Sequence, residues 1–209
     1  MRLFRALAGA AVLLSMSAAS AALAGPIPYP TPGVPNPVIY TFTAASTGDI
    51  IAYFAGSGAS YDEQVGMLVN GVSTGVVGLD DHTSAVGDSL DLGSVTAGDV
   101  ITFVDYVFTT GDTWYSNPAL NGGNGNHVYS TNATANQVYA GSPAGTYVGF
   151  EDLRFPNSDY NYFDDTFIFT NTVTSSNVPE PVTWALMLFG MGGIGGALRR
   201  QTRRAVAAA

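Results

Sequence analysis

Short runs of β-branched and aromatic residues, separated by clusters of Gly, Asp, Asn and Ser, constrain the fold of this chain most. The runs begin near residues 38, 50, 65, 73, 100, 146 and 166, and none of these segments has the 3.6-residue apolar period of an amphipathic helix. Asn70-Gly71 lies between two runs and is a two-residue hairpin signal. The pattern predicts an all-β domain, an antiparallel β-sandwich or jelly-roll-like fold.

The first 24 residues have the pattern of a secretory signal peptide. Arg2 and Arg5 precede an apolar stretch that ends in small residues at Ala24. We expect the Sec machinery to export the chain and the signal peptide to be cleaved after Ala24. Residues 25–37 contain six prolines and predict a Pro-rich linker, or an arm lying along the domain, ahead of an ectodomain at 38–176.

Charge is segregated along the chain, and this excludes several functions. Between Leu7 and Leu198 the only Lys or Arg is Arg154, whereas residues 25–178 hold 15 acidic residues, a balance of −14. Such a body repels nucleic acid and anionic lipid surfaces. There is no cysteine, which removes disulfides and thiol catalysis.

The C-terminal region combines a Pro-Glu-Pro tripeptide, an uncharged run and several arginines. Residues 182–198 are 17 residues without a charge, about 25 Å as a helix against a hydrocarbon core of about 30 Å. We expect a single hydrophobic helix that barely spans a bilayer, with the following arginines on the cytoplasmic side and a short tail at 205–209.

This order of parts, over residues 177–204, resembles the PEP-CTERM sorting signal. The resemblance implies that a membrane-embedded exosortase of a Gram-negative bacterium recognises and cleaves the tail after transient anchoring in the inner membrane. It also implies release or transfer to the cell surface or to the exopolysaccharide matrix of a biofilm. The residues that carry it are Pro179, Glu180, Pro181, Trp184, Arg199 and Arg200.

Residues 147–171 hold the densest group of oxygen donors. Crowded carboxylates and amides favour Ca²⁺, which would clamp the final strands and is the one candidate cofactor. The alternative is an acidic turn without metal, because Asp and Asn also stabilise turns through their own hydrogen bonds. The segment resembles the acidic part of DUF4114-like bacterial extracellular domains. The candidate ligands are Glu151, Asp152, Asp159, Asn161, Asp164 and Asp165.

A loop beginning at Trp114 and Tyr115 mixes aromatic residues with Asn and Gly. Flat aromatic faces beside amides suit carbohydrate binding, and an aromatic plug between strands is the alternative. The G-x-S-x-G pattern at 71–75 lies at the predicted hairpin, whereas a nucleophile elbow needs a strand-to-helix junction. We therefore expect no enzymatic activity.

Together these features predict an exported surface or extracellular-matrix protein, sorted by an exosortase and free of nucleic-acid partners. A carbohydrate-binding or Ca²⁺-dependent adhesion module that contacts extracellular polysaccharide is the alternative. An extracellular hydrolase is the third.

Overall fold

The computed structural model describes residues 25–177, and within them eleven strands form two antiparallel sheets. One 3₁₀ turn, Pro118–Leu120, interrupts them. The strands are β1 (Ile39–Ala44), β2 (Gly48–Ser57), β3 (Glu63–Val69), β4 (Val72–Gly78), β5 (Ser89–Val95), β6 (Val100–Val107), β7 (Asp112–Tyr115), β8 (Val128–Ala133), β9 (Gly145–Phe150), β10 (Asp165–Phe169) and β11 (Thr172–Asn177).

The two sheets stack as a sandwich, which confirms the predicted all-β antiparallel fold. The six-stranded sheet has the order β11-β1-β6-β3-β4, with β7 beside the far end of β6. The five-stranded sheet has the order β5-β2-β10-β9-β8. Because side chains alternate along a strand, each sheet buries one row of apolar residues against the other.

Aromatic stacking joins the sheets at the centre of the core. The rings of Phe103 on β6 and Phe169 on β10 stack with centroids 3.6 Å apart. Phe42 on β1 meets Phe103 edge-on at 5.1 Å. All three side chains are buried, and each such burial stabilises the fold by about 1.5–3 kcal/mol.

The predicted hairpin is confirmed at Asn70 and Gly71. Val69 pairs with Val72, and the two turn residues have φ of 50° and 83°, as the primed turns of tight hairpins require. Four strands lie outside the predicted runs: β5, β7, β8 and β11. Their sequences are rich in Ser, Thr, Asp and Asn, so pairing with neighbouring strands places them in a sheet where intrinsic propensity does not.

The Pro-rich segment, residues 25–37, contacts the domain through Tyr29 and Asn36. Tyr29 is buried against the rings of Tyr129 and Tyr162, with centroids 5.3 and 4.7 Å away. Asn36 is also buried and donates from Nδ2 to the Val128 carbonyl at 2.9 Å. The arm therefore fixes the position of Tyr162 in the segment between β9 and β10.

The predicted signal peptide and the predicted helix at 182–198 lie outside the described residues. In the part of the chain that the structure covers, no helix has the length and apolar character needed to cross a membrane.

Gly149 on β9 lets the acidic segment cross closely over the sheet. A Cβ built on Gly149 would stand 2.2 Å from the Tyr162 carbonyl oxygen, a distance that no ordinary contact allows. The absence of a side chain at position 149 therefore sets the path of the chain between β9 and β10.

We expect Gly149→Ala to lower the free energy of unfolding by about 1–3 kcal/mol, because the backbone around Tyr162 must move away. Gly78→Ala is the matched control, since its Cβ would meet only the end of the flexible Leu90 side chain at 3.2 Å. Urea unfolding of both variants measures the difference. Equal losses of stability in the two variants would contradict the close crossing.

Candidate functional site

Seven acidic residues converge at one end of the sandwich, where β2, β6 and β9 end and β3 and β10 begin. Two groups of three have carboxylate oxygens that all lie within 4.8 Å of one another. We name Glu63, Asp105 and Asp165 the inner carboxylate cluster, and Glu151, Asp152 and Asp164 the outer carboxylate cluster. The seventh residue, Asp81, accepts hydrogen bonds from the Glu63 amide at 2.9 Å and from Ser57 Oγ at 3.2 Å.

The inner carboxylate cluster occupies positions that strand alternation directs into the core. On β3, the side chain of Glu63 faces the same side of the sheet as that of Val65. On β6, the side chain of Asp105 faces the same side as that of Phe103. Asp165 has the parity of Phe167 on β10, in the other sheet. The cluster thus lies between the sheets and draws ligand atoms from both.

All three inner carboxylates are buried without a partner. Each residue is 0% exposed, and among residues 25–177 no hydrogen-bonding group reaches any of the six carboxylate oxygens. Buried polar atoms in folded proteins almost always have partners, and a buried unpaired charge is strongly destabilising. The inner carboxylate cluster therefore has the character of a ligand site.

The electrostatics of the inner carboxylate cluster follow from this burial. Desolvation raises the pKa of Glu63, Asp105 and Asp165 well above the ordinary carboxyl range. Repulsion from neighbouring carboxylates raises each pKa further. The single Lys or Arg of the described part, Arg154, pairs instead with Asp112.

The outer carboxylate cluster is better satisfied and more accessible. Asp164 Oδ2 accepts from the Asp152 amide at 3.0 Å, and Glu151 Oε2 accepts from the Tyr162 amide at 3.3 Å. All three acids border a cavity of about 320 Å³ that Tyr61 also lines. Burial, followed by repulsion from its acidic neighbours, raises the pKa of Asp164 to about 9.

Two buried rings hold the backbone that carries Glu151 and Asp152. Trp114 Nε1 donates to the Asp152 carbonyl at 2.6 Å, and His127 Nδ1 donates to the Glu151 carbonyl at 2.7 Å. The two rings stack with centroids 3.7 Å apart and planes 4° from parallel. Trp114 and His127 are thus positioning residues for the outer carboxylate cluster.

The predicted Ca²⁺ ligands divide among three environments. Glu151, Asp152 and Asp164 form the outer carboxylate cluster, whereas Asp165 points to the opposite side of the chain and joins the inner one. Asp159 lines the cavity, but its Oδ2 accepts from Asn161 Nδ2 at 2.7 Å, in an exposed turn. The turn alternative therefore describes Asp159 and Asn161.

Sequence reasoning missed Glu63 and Asp105, and it considered Asp81 only together with Asp80 and His82. The signal for Glu63 and Asp105 was present, because each is an acid at an inward position of an alternating apolar strand. Asp81 lies in a connection, and only the tertiary structure brings its buried side chain to Glu63.

The prediction that Trp114 contacts a glycan is wrong. Its side chain is 3% exposed, one face is covered by His127, and the guanidinium carbon of Arg154 lies 5.5 Å from the ring centroid. The alternative, an aromatic plug, describes it. Tyr115 is half-buried at the end of β7, and its role in carbohydrate binding stays a prediction.

A family model described as a PEP-CTERM protein-sorting motif matches residues 177–204. The chain carries a PEP-CTERM sorting signal. The match spans Pro179, Glu180, Pro181, Trp184 and the paired Arg199-Arg200, all outside the described residues. The signal implies processing by an exosortase and export to the cell surface by way of the membrane. Comparison with curated proteins and with solved structures found no match.

The sorting signal begins, in sequence, at the end of the described domain. Within residues 25–177 the last strand is β11, which includes Asn177, the first residue of the matched motif. The resemblance of residues 147–171 to DUF4114-like domains stays a prediction.

In a chelating buffer, the free energy of unfolding of this PEP-CTERM protein should fall as the pH rises from about 4 to about 9. The unfolded carboxyls have pKa values near 4, and burial raises the folded-state pKa, to about 9 for Asp164. The folded state therefore binds more protons in this window, and its stability is lost as the pH passes the folded-state pKa.

Urea midpoints measured at about pH 5 and about pH 8 check this pH dependence. Asp164→Asn should show a smaller difference between the two midpoints, because it removes one of the carboxyls with a raised pKa. A wild-type midpoint that is higher at pH 8 than at pH 5 would contradict the expectation.

Proposed function

We propose that this protein is a non-enzymatic component of the cell surface or of the exopolysaccharide matrix, delivered there by an exosortase. The observation that carries the proposal is the sorting signal at 177–204, which directly follows the last strand of a folded, acidic sandwich. A substrate of this kind is held at the membrane only by the signal. Cleavage of the signal would therefore free the sandwich.

The charge of the domain supports a place among neutral glycans or glycans bridged by cations. Residues 25–177 hold 15 acidic residues and Arg154 as their single Lys or Arg. This field repels polyanions unless a divalent cation lies between them. The charge of the domain therefore fits a matrix role in which cations mediate its association with glycans. It does not fit direct binding of polyanions.

Intact-mass measurement of the exported fraction tests the delivery. We expect a mature species that starts near Gly25 and lacks everything much beyond Pro181. In cells without the exosortase, or in a Glu180→Ala variant, the species should stay in the membrane fraction with Arg199 and Arg200 attached. Recovery of those arginines in the exported, matrix-associated protein would overturn the proposal.

A Ca²⁺-dependent carbohydrate-binding or adhesion module is the second candidate. The outer carboxylate cluster favours it, because the cluster borders an open cavity with the ring of Tyr61 beside it. A Ca²⁺ ion there could complete its oxygen shell with sugar hydroxyls while the ring contacts an apolar sugar face. In this candidate function Tyr61, rather than the buried Trp114, would contact the sugar.

An extracellular hydrolase has less support. Glycoside hydrolysis uses two carboxyls about 5–10 Å apart, with room for a sugar or a water between them. In each carboxylate cluster, one oxygen from each of the three acids lies within 4.8 Å of the other two, a spacing that suits shared ligation of a cation.

A polysaccharide pull-down with and without Ca²⁺ tests the second candidate. We expect binding in Ca²⁺, none in EDTA, and a loss of about threefold to tenfold in affinity for Tyr61→Ala, since one aromatic contact contributes about 0.5–1.5 kcal/mol. Tyr139→Ala is the matched control, since this half-buried tyrosine lies between β8 and β9 and does not line the cavity. Equal losses for both variants, or binding that EDTA leaves unchanged, would count against this candidate.

A further inference from the structure

We propose that the inner carboxylate cluster, Glu63, Asp105 and Asp165, binds one Ca²⁺ ion that joins the two sheets of the sandwich. This site is separate from the acidic segment that the sequence singles out, apart from Asp165. It does not depend on the surface or matrix role proposed above.

The geometry of the inner carboxylate cluster fits one ion. Glu63 and Asp105 belong to adjacent strands of the six-stranded sheet, and Asp165 begins a central strand of the other sheet. Their ligand oxygens lie within 4.8 Å of one another. Ca²⁺–O distances of about 2.3–2.6 Å place opposite ligands about 4.6–5.2 Å apart, so a single ion can contact all three carboxylates.

The burial of these carboxylates points independently to a ligand. Each residue is 0% exposed, and none of their six oxygens has a hydrogen-bonding partner within residues 25–177. Protonation would remove the charge of one carboxyl and let it donate to a neighbouring carboxyl, but the other oxygens of the cluster would stay without partners. A bound cation satisfies the charge and the oxygens together.

The basic side chains near this site in residues 25–177 are engaged elsewhere. Arg154 pairs with Asp112, and His82 Nδ1 lies 3.0 Å from Asp62 and 3.1 Å from Asp81 at the exposed edge of the site. Asp81 and Asp152 add further negative charge near Asp105 and raise the pKa of its already desolvated carboxyl. In our proposal the compensating positive charge comes from solution.

The donor set selects a hard cation, and its burial selects Ca²⁺. Only carboxylate oxygens face the site, whereas zinc and copper sites usually include His or Cys. Mg²⁺ keeps several of its waters, which an enclosed core position does not accommodate. Three carboxylates can supply up to six oxygens, enough for a Ca²⁺ ion with few or no waters.

The position of the inner carboxylate cluster defines what the ion would do. Strands β3 and β6 contact β10 only across the interior, so an ion bound by Glu63, Asp105 and Asp165 cross-links the sheets at the end opposite the Asn70-Gly71 hairpin. Because the site requires the folded arrangement of both sheets, Ca²⁺ binds the native state and stabilises it.

Ion counting and thermal melting of the purified full-length protein test the proposal. After chelation and reloading in about 2 mM Ca²⁺, we expect the Tm to rise by about 5–10 °C over the EDTA value. Asp105→Asn should bind one Ca²⁺ fewer per chain and lose most of that rise. In EDTA, Asp105→Asn should melt above the wild type, because one uncompensated buried charge has been removed.

Matched variants separate this site from its surroundings. Asp91→Asn, on exposed β5, should behave as the wild type in both buffers. Asp164→Asn removes a ligand of the outer carboxylate cluster and should retain the inner ion, whatever becomes of the glycan-binding candidate. If Asp105→Asn fails to fold, Glu63→Gln takes its place.

Two results would overturn the proposal. One is a wild-type protein that retains less than one Ca²⁺ per chain and has the same Tm in Ca²⁺ and in EDTA. This result can be obtained without any variant. The other is an Asp105→Asn or Glu63→Gln protein that binds as many ions as Asp91→Asn.

Discussion

Mutual repulsion among seven carboxylates at one end of the sandwich is the constraint on which the rest of this structure depends. Moving a charge out of water costs several kcal/mol even after relaxation, and the inner carboxylate cluster places three acids at core positions. The aromatic core next to it, with Phe103 stacked on Phe169, supplies part of the offsetting stability. The inward positions of these strands thus carry both aromatic residues that stabilise the packing of the two sheets and acidic residues that destabilise it.

The chain between β9 and β10 is built around this end of the sandwich. Trp114 and His127 hold the backbone of Glu151 and Asp152. Gly149 allows the segment between β9 and β10 to cross closely over the sheet, and Tyr162 anchors that segment. Tyr162 Oη accepts from the Asn36 amide at 2.7 Å, so the N-terminal arm takes part as well. Substitution of any of these residues would therefore disturb the geometry of the outer carboxylate cluster.

The fold could be predicted from the sequence because its signals are local. Asn70-Gly71 encodes its own turn, and runs such as residues 100–107 carry their own alternation. The inner carboxylate cluster could not be predicted as a set, because Asp105 and Asp165 come from different sheets, 60 positions apart in sequence. Neighbouring residues mislead in the same way: Asp164 and Asp165 are adjacent, yet alternation sends them to different clusters. For Trp114, residue type allows both an exposed sugar platform and a buried aromatic plug, and only the packing decides between them.

The short separation between the domain and the uncharged run of its sorting signal relates the charge of the domain to its export. Five residue steps separate Asn177 from the start of the uncharged run at residue 182, at most about 18 Å of extended chain. With residues 182–198 in the bilayer, as we propose, the acidic sandwich would stand close to the membrane while the signal is intact. Anionic lipids repel a body with 15 acids and one arginine, whereas a divalent cation bound among those acids would weaken the repulsion. In the proposed route, cleavage of the signal would let the same repulsion move the domain away from the membrane, so the charge that destabilises the fold would favour its release.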